Sequence, residues 1–301
     1  MMDYLNQIIQ GNTLDVLKLI PSESVDIGVT SPPYNKGEKN KGWLVKNVKY
    51  NSATDCVNET TYQQNQIDVL NELYRIIKPG CSFFYNHKIR WDKGNMFHPM
   101  AWLMKTNWTI RQEIIWDRMI AANIRGWRFW QVDERIYWLY KPIDNNKIGK
   151  ELLSKHSLLT SIWRFPPERQ NPHPAPFPIE LPTRVITALT NEEKATVIDP
   201  YCGSGTTLVA AKLLGKDYMG IDISNKYIDF ANTRIENANA EKNKVEQELR
   251  KHFVEKTFKQ RKEKGENTGK FKTTVTIDKA ISPKSIDLRL FDDPQPIQKR
   301  I

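Results

Sequence analysis

The chain has 301 residues, 39% of them hydrophobic and 27% charged, with a formal net charge of +10 and an isoelectric point near 9.3. That length supports one large α/β domain with appendages, and the basic surplus suits a polyanionic partner. No segment is apolar for the length of a membrane span and the opening Met1-Met2-Asp3-Tyr4 has no leader pattern. Cys56, Cys81 and Cys202 show no metal or disulfide spacing, so the expectation is a reduced, cytoplasmic chain that needs no metal.

In chain order, Leu14–Ile20 is amphipathic and stopped by Pro21, and Val25–Val29 is a short apolar strand. The strand runs into Thr30-Ser31-Pro32-Pro33-Tyr34-Asn35, where two prolines end it and fix an extended turn. Residues 36–61 are polar and aperiodic, a long loop of the kind that closes over a site. Tyr62–Ile77 has helical spacing and ends at Lys78-Pro79-Gly80; Cys81–Asn86 reads as a strand and His98–Lys105 as a helix. Thr109–Trp116 and Ile136–Tyr140 read as strands, joined by a connection holding Arg118, Arg125, Trp127, Arg128, Phe129, Trp130 and Arg135. Residues 141–172 are irregular and basic, and a proline-rich stretch, Asn171–Leu181, leads into a helix from Leu181 to Leu189.

The most informative stretch is Val197-Ile198-Asp199-Pro200-Tyr201-Cys202-Gly203-Ser204-Gly205-Thr206-Thr207. It reads as a core strand, an acid at the strand's end, a tight loop and a helix from Thr206. Gly203 and Gly205 permit backbone angles and close approaches closed to other residues. A second strand, Tyr218–Asp222, ends in a second acid 23 positions after the first, near the spacing of a ribose-binding acid. No Gly-Lys-Ser/Thr follows the loop, which excludes a phosphate-cradling NTPase. From Asn225 a long helix is expected to run towards Lys262. Residues 236–301 carry 16 Lys and Arg against 11 Asp and Glu, half of the whole surplus, and read as a basic arm.

Asp199-Pro-Tyr-Cys-Gly-Ser-Gly-Thr-Thr207 resembles the cofactor motif of S-adenosylmethionine-dependent methyltransferases, and Ser31-Pro-Pro-Tyr34 resembles the catalytic motif of the DNA amino-methyltransferases. Their order along the chain, with the catalytic motif about 170 residues ahead, is similar to the circularly permuted β group. The resemblance implies a class I methyltransferase fold, a twisted, mostly parallel sheet of seven strands with helices on both faces. It implies one catalytic domain over residues 1–235, a DNA-recognition region at 117–165, and a basic helical arm over 236–301.

It also implies site residues. Ser31, Pro32, Pro33 and Tyr34 are catalytic: the Ser31 hydroxyl and Pro32 carbonyl accept the two hydrogens of an exocyclic amino group, and Tyr34 stacks on a base flipped from the duplex. Asp199, Pro200, Tyr201, Gly203, Ser204, Gly205, Thr206 and Asp222 bind S-adenosyl-L-methionine, Asp199 at its ammonium and Asp222 at its ribose. Phe177 and Glu180 lie in a segment similar to the family's motif at the methionine end. Asn12 stands where the family has an adenine-binding Asp, so it makes a different contact or Asp15 substitutes. Arg125, Arg128 and Arg135 are the DNA contacts. Serine at the head of the tetrad is the form more usual for cytosine N4; adenine N6 is the alternative. More distant alternatives are an RNA or protein amino-methyltransferase and a non-catalytic DNA-binding subunit. The partners implied are double-stranded DNA and a cognate restriction endonuclease, for a monomer or homodimer.

Overall fold

The computed structural model describes residues 4–35, 57–121, 124–144, 160–168, 171, 176–190, 194–251 and 258–265. Most of the expected loop 36–61 and of the C-terminal arm, and residues 172–175 of the proline-rich stretch, lie outside them.

The sheet is the frame of the molecule. Its strands are β1 (Gln7–Gln10), β2 (Val25–Thr30), β3 (Ile77–His87), β6 (Thr109–Asp117), β7 (Asp133–Tyr140), β8 (Ile162–Arg164), β9 (Thr196–Asp199) and β10 (Asp217–Asp222). The hairpin of β4 (Arg90–Asp92) and β5 (Asn95–Phe97) stands apart, turned by Lys93 and Gly94, both at positive φ. That conformation matches the right-handed twist of paired strands. The spatial order is β1-β10-β9-β2-β3-β7-β6-β8, and only β7 runs against its neighbours. The mostly parallel sheet is as expected. Among the described residues it has eight strands rather than seven, because Ile162–Arg164 pairs alongside β6 at the edge.

Helices cover both faces, as side-chain alternation along the strands requires. Ile27, Val29, Phe84 and Val197 point into one core with α4 (Glu180–Leu189), α5 (Thr206–Leu213) and α7 (Lys242–Lys251). Phe83, Tyr85, Ile198, Met219 and Ile221 point into the other, with α1 (Thr13–Leu19), α2 (Glu59–Ile76) and α3 (Met100–Leu103). Helix α2 begins where the Asn58 side chain accepts from the Thr61 amide, satisfying a free first-turn donor.

Several boundaries differ from the sequence reading. Pro79 and Gly80 do not end a helix but lie within β3, opposite a register shift in β2; a bulge is where a strand tolerates proline. The long helix expected from Asn225 is α6 (Asn225–Glu236), then a 3₁₀ turn Ala238–Glu241, then α7. The break lets α7 fold back onto α4. There it buries Val245 and pairs Glu248 with Arg184, whose guanidinium lies over the Trp163 and Phe165 rings. The first compact unit therefore runs Met1–Thr257, past the expected boundary at 235. The second, Phe258–Ile301, is described over 258–265 and holds the short helix α8 (Phe258–Glu263). Among the described residues no helix is long and apolar enough to cross a membrane.

The Arg184–Glu248 pair is almost wholly buried. Removing one partner leaves an uncompensated charge, a loss of about 3–5 kcal/mol. We expect Glu248→Ala to lower the unfolding free energy by that order in urea titrations. Replacing both partners, Arg184→Met with Glu248→Leu, is expected to recover most of the loss.

Candidate functional site

Strand order reverses between β9 and β2. The chain leaves β2 for β3 on one side and leaves β9 for β10 on the other, with the crossover helices α2 and α5 on opposite faces. In open α/β sheets such a point opens a crevice at the carboxyl ends of the strands. The two sequence motifs lie at those ends. Ile27 pairs with Val197 and Gly28 with Ile198, so β2 and β9 run side by side into the site.

Asp199 is buried, and its carboxylate accepts from the Thr30 hydroxyl at 2.7 Å, the Thr207 hydroxyl at 2.7 Å and the Tyr201 amide at 3.1 Å. Burial pushes its carboxyl up to about 6 against the pull of those three donors. A carboxylate has about four lone-pair positions, so one remains for a ligand. Asp222 is half-buried; it accepts from the Gly203 and Ser224 amides at 2.9 and 2.8 Å, and desolvation raises it too. Two desolvated acids at neighbouring strand ends favour an occupant that brings a cation to one and hydroxyl donors to the other.

The loop between them is held tightly. Gly203 and Gly205 take positive φ, 49° and 78°, and a Cβ at Gly205 would lie 2.9 Å from Ala231 Cβ. The Pro200 carbonyl accepts from Thr13, the Ser204 carbonyl and Thr206 hydroxyl accept from Arg234, and the Ser204 hydroxyl accepts from Asn171. Tyr201 is half-buried and packs against the core, and burial pushes its phenol up to about 12. The Cys202 thiol is raised by burial and then by both acids, which keeps it neutral packing rather than a nucleophile.

Ser31–Tyr34 follows directly from β2. Ser31 Oγ and Tyr34 Oη are 2.6 Å apart, and Tyr34 Oη donates to Glu134 Oε2 at 3.0 Å. The phenol has one hydrogen and Glu134 takes it, so the Ser31 hydroxyl must donate to Tyr34. Its lone pairs then remain as acceptors, one of them within reach of Asn86 Nδ2. Asn86 Nδ2 lies 2.9 Å from Glu134, 3.0 Å from Tyr34 and 3.3 Å from Ser31, and Arg118 pairs with the other Glu134 oxygen at 3.0 Å. Tyr62 donates to the Pro33 carbonyl, whereas among the described residues nothing donates to the Pro32 carbonyl. The Tyr34 ring packs 4.6 Å from that of His87, and Asn35 clasps both backbone groups of Val57. Glu134 and Asn86 were not foreseen: Glu134 lies in a charged stretch ahead of the strand expected at Ile136, Asn86 ends an apolar run, and only the pairing of β3 with both β2 and β7 brings them to Ser31.

The other expected residues fall less uniformly. Asn12 is exposed and caps α1 by accepting from the Leu14 amide, leaving its NH₂ for a ligand; the adjacent Gly11 amide donates to the Asp222 carbonyl. Phe177 packs in the core, and Glu180 is half-buried in the first turn of α4. Of the expected recognition region, β7 and β8 belong to the sheet, residues 145–159 lie outside the described chain, and 118–132 form the connection. There Arg125 is exposed and Arg128 lies 4.2 Å over the Trp91 ring. Partial burial and then the Arg125 charge lower the Arg128 guanidinium. Arg135 differs: it is paired with Asp133 and Glu113 across the sheet, which takes it away from a role at the surface.

A model of the family described as DNA methylase, of the N6/N4 type, matches residues 25–233. The type II methyltransferase M.HinfI of Haemophilus influenzae is 27% identical over 266 residues, spanning 81% of this chain and 72% of that one. Among solved structures, the PvuII DNA methyltransferase, described as cytosine-N4-specific, superposes with a TM-score of 0.61 at 17% identity, covering 79% of this chain and 91% of that chain. A proposed DNA modification methylase of Thermus thermophilus, solved with S-adenosyl-L-methionine, gives 0.57 at 22% identity over 77% and 93%.

A carboxyl raised on folding binds its proton more tightly folded than unfolded. Asp199 therefore stabilises the fold at acid pH, and that contribution is lost as pH rises from about 4 through about 6. We expect the urea midpoint to fall across that window in wild type and to change less in Asp199→Asn. Equal pH profiles for the two proteins would contradict the assignment.

Proposed function

The chain belongs to the N6/N4 DNA methylase family, and from that premise we propose that it methylates the N4 amino group of cytosine at a specific site in double-stranded DNA. The observation that carries the reading is the end of β2, where Ser31 and Pro32 offer two acceptors one residue from a threonine bonded to Asp199.

The residues fit S-adenosyl-L-methionine as donor. Asp199 keeps one lone-pair position for its ammonium, Asp222 has oxygen capacity for its ribose hydroxyls, and the positive-φ glycines bring bare backbone to the ligand. Pro200, Tyr201, Ser204 and Thr206 shape that loop; Asn12, Phe177 and Glu180 are assigned to its rim. When bound, the cofactor supplies an electrophilic methyl carbon beside β2.

An exocyclic amino group is a weak nucleophile because its lone pair is delocalised into the ring. Ser31 Oγ and the Pro32 carbonyl, each accepting one N–H, favour a tetrahedral nitrogen with its lone pair turned to the methyl group. Such preorganised acceptors act mainly by positioning and electrostatics. The chain Ser31–Tyr34–Glu134 adds polarity: a carboxylate at its far end strengthens each bond along it. It also gives the departing amino proton a path, through Ser31 Oγ and Tyr34 Oη, to Glu134. Pro33 holds the turn, and the Tyr34 ring forms a face on which the flipped base stacks. Arg125 and Arg128 contact the phosphates. The protein acts in the cytoplasm beside a restriction endonuclease that cuts the same site.

Tyr34→Phe keeps the ring but cuts the link to Glu134. We expect turnover to fall by about tenfold to a hundredfold, the equivalent of one lost buried hydrogen bond, with cofactor affinity unchanged. Ser31→Ala is expected to lose more, on the order of 10²–10³. Nucleoside analysis of DNA modified by the wild-type protein decides the atom: N4-methylcytosine is expected, and N6-methyladenine would move the assignment to adenine. For Arg125→Ala with Arg128→Ala we expect weaker DNA binding and a salt dependence shallower by about two contacts. Unchanged affinity in a low-salt gel shift would refute those contacts.

A further inference from the structure

The connection between β6 and β7 presents an aromatic side chain to solvent on an anchored support. Phe129 exposes 98% of its surface, between Trp127 at 57% and Trp130 at 64%. Large apolar side chains grouped this way mark a surface that receives a partner. The connection itself is pinned. Its neck closes where the Arg118 amide donates to the Val132 carbonyl at 2.8 Å. Arg118 pairs with Glu134, and the buried Gln131 side chain donates to the Ile89 carbonyl at 3.2 Å. Arg128 lies 4.2 Å over Trp91 of the β4–β5 hairpin and 5.8 Å from the Trp127 ring. Phe129 is thus held out by residues fixed on either side of it.

Its place relative to the site follows from register. His87 at the end of β3 pairs with Arg135 near the start of β7, so the connection emerges at the same edge of the sheet as Ser31 and Asp199. Glu134 lies five positions after Phe129, a span of at most about 18 Å, and is hydrogen-bonded to Tyr34.

We propose that Phe129 is a wedge that enters the base stack of double-stranded DNA at the step the target base leaves. The proposal rests on the base-methylating reading above. Extruding a base costs its stacking, and an apolar side chain inserted between base steps is a recurrent way of holding a duplex open. A wedge suits this position on three counts: the side chain is apolar and fully presented, Arg125 and Arg128 beside it attract phosphate, and its support is bonded to the catalytic tyrosine's partner. Trp127 is less suited, since it shares the Arg128 guanidinium with Trp91, and Trp130 is less exposed than Phe129.

The test compares Phe129→Ala and Phe129→Trp with the wild-type protein on two duplexes carrying the mapped methylation site. One is fully paired; the other has an abasic position opposite the target base, which is then already unpaired. On the paired duplex Phe129→Ala is expected to methylate roughly tenfold to a hundredfold more slowly, the rate equivalent of one aromatic–base stack. On the abasic duplex the deficit is expected to shrink to less than about threefold, and Phe129→Trp is expected to retain activity on both. A deficit equal on the two duplexes, or wild-type rates on the paired one, would overturn the wedge while leaving the methylation reading intact. If the wild-type protein transfers no methyl group to DNA, the underlying reading fails with it. Because the side chain is exposed, an unchanged thermal midpoint separates these outcomes from misfolding.

Discussion

The bond from Thr30 to Asp199 joins two strands whose residues lie 169 positions apart. It does so at the one place in the sheet where the winding direction reverses. Thr30 completes β2 and is followed at once by Ser31; Asp199 completes β9 and is followed by the glycine loop. A single buried hydroxyl therefore ties the Ser31–Tyr34 turn to Asp199 and the glycine loop. Thr207 reaches the same carboxylate from the first turn of α5, so helix, loop and both strands are fixed through one side chain. Moving any of them would unseat the others.

The electrostatics of the site follow from burial. Asp199 and Asp222 are each held by amides or hydroxyls and each raised by desolvation, the state of acids awaiting a partner of opposite charge or a set of donors. Glu134 is arranged differently. It receives the Tyr34 phenol and the Asn86 amide on one oxygen and Arg118 on the other. Glu134 terminates a chain of hydroxyls that begins at Ser31. The proposed reaction thereby gives ligand holding to Asp199 and Asp222 and substrate activation to Glu134.

Much of this was legible in the residues. Val197–Thr207 and Thr30–Tyr34 announce their conformations locally, because glycines at positive φ and paired prolines leave the backbone few options. Tyr218–Asp222 could be placed by spacing alone. What escaped depends on register or on tertiary contact. Asn86 looks like an ordinary strand residue and Glu134 like a charged connection residue until β3 is aligned with β2 and β7. Ile162–Arg164 is too short to signal a strand, yet the edge of β6 captures it. The helix from Asn225 reads as continuous because nothing in its polar sequence marks the turn at Asn237; the burial of Val245 against α4 bends it. Arg135 reads as a free cation by composition, but Asp133 and Glu113 neutralise it.

The pairing of β2 with β9 also sets a schedule for biosynthesis. At a ribosomal rate of roughly 5–20 residues per second, β9 follows β2 by about 10–30 s. Through that interval the inner flank of β2, with Ile27 and Gly28 awaiting Val197 and Ile198, is an unpaired edge in the middle of the future sheet. Open edges of this kind recruit other chains. The permuted order of the motifs thus carries a hazard of nascent-chain aggregation that a cofactor-first arrangement, synthesising the central strands together, would shorten.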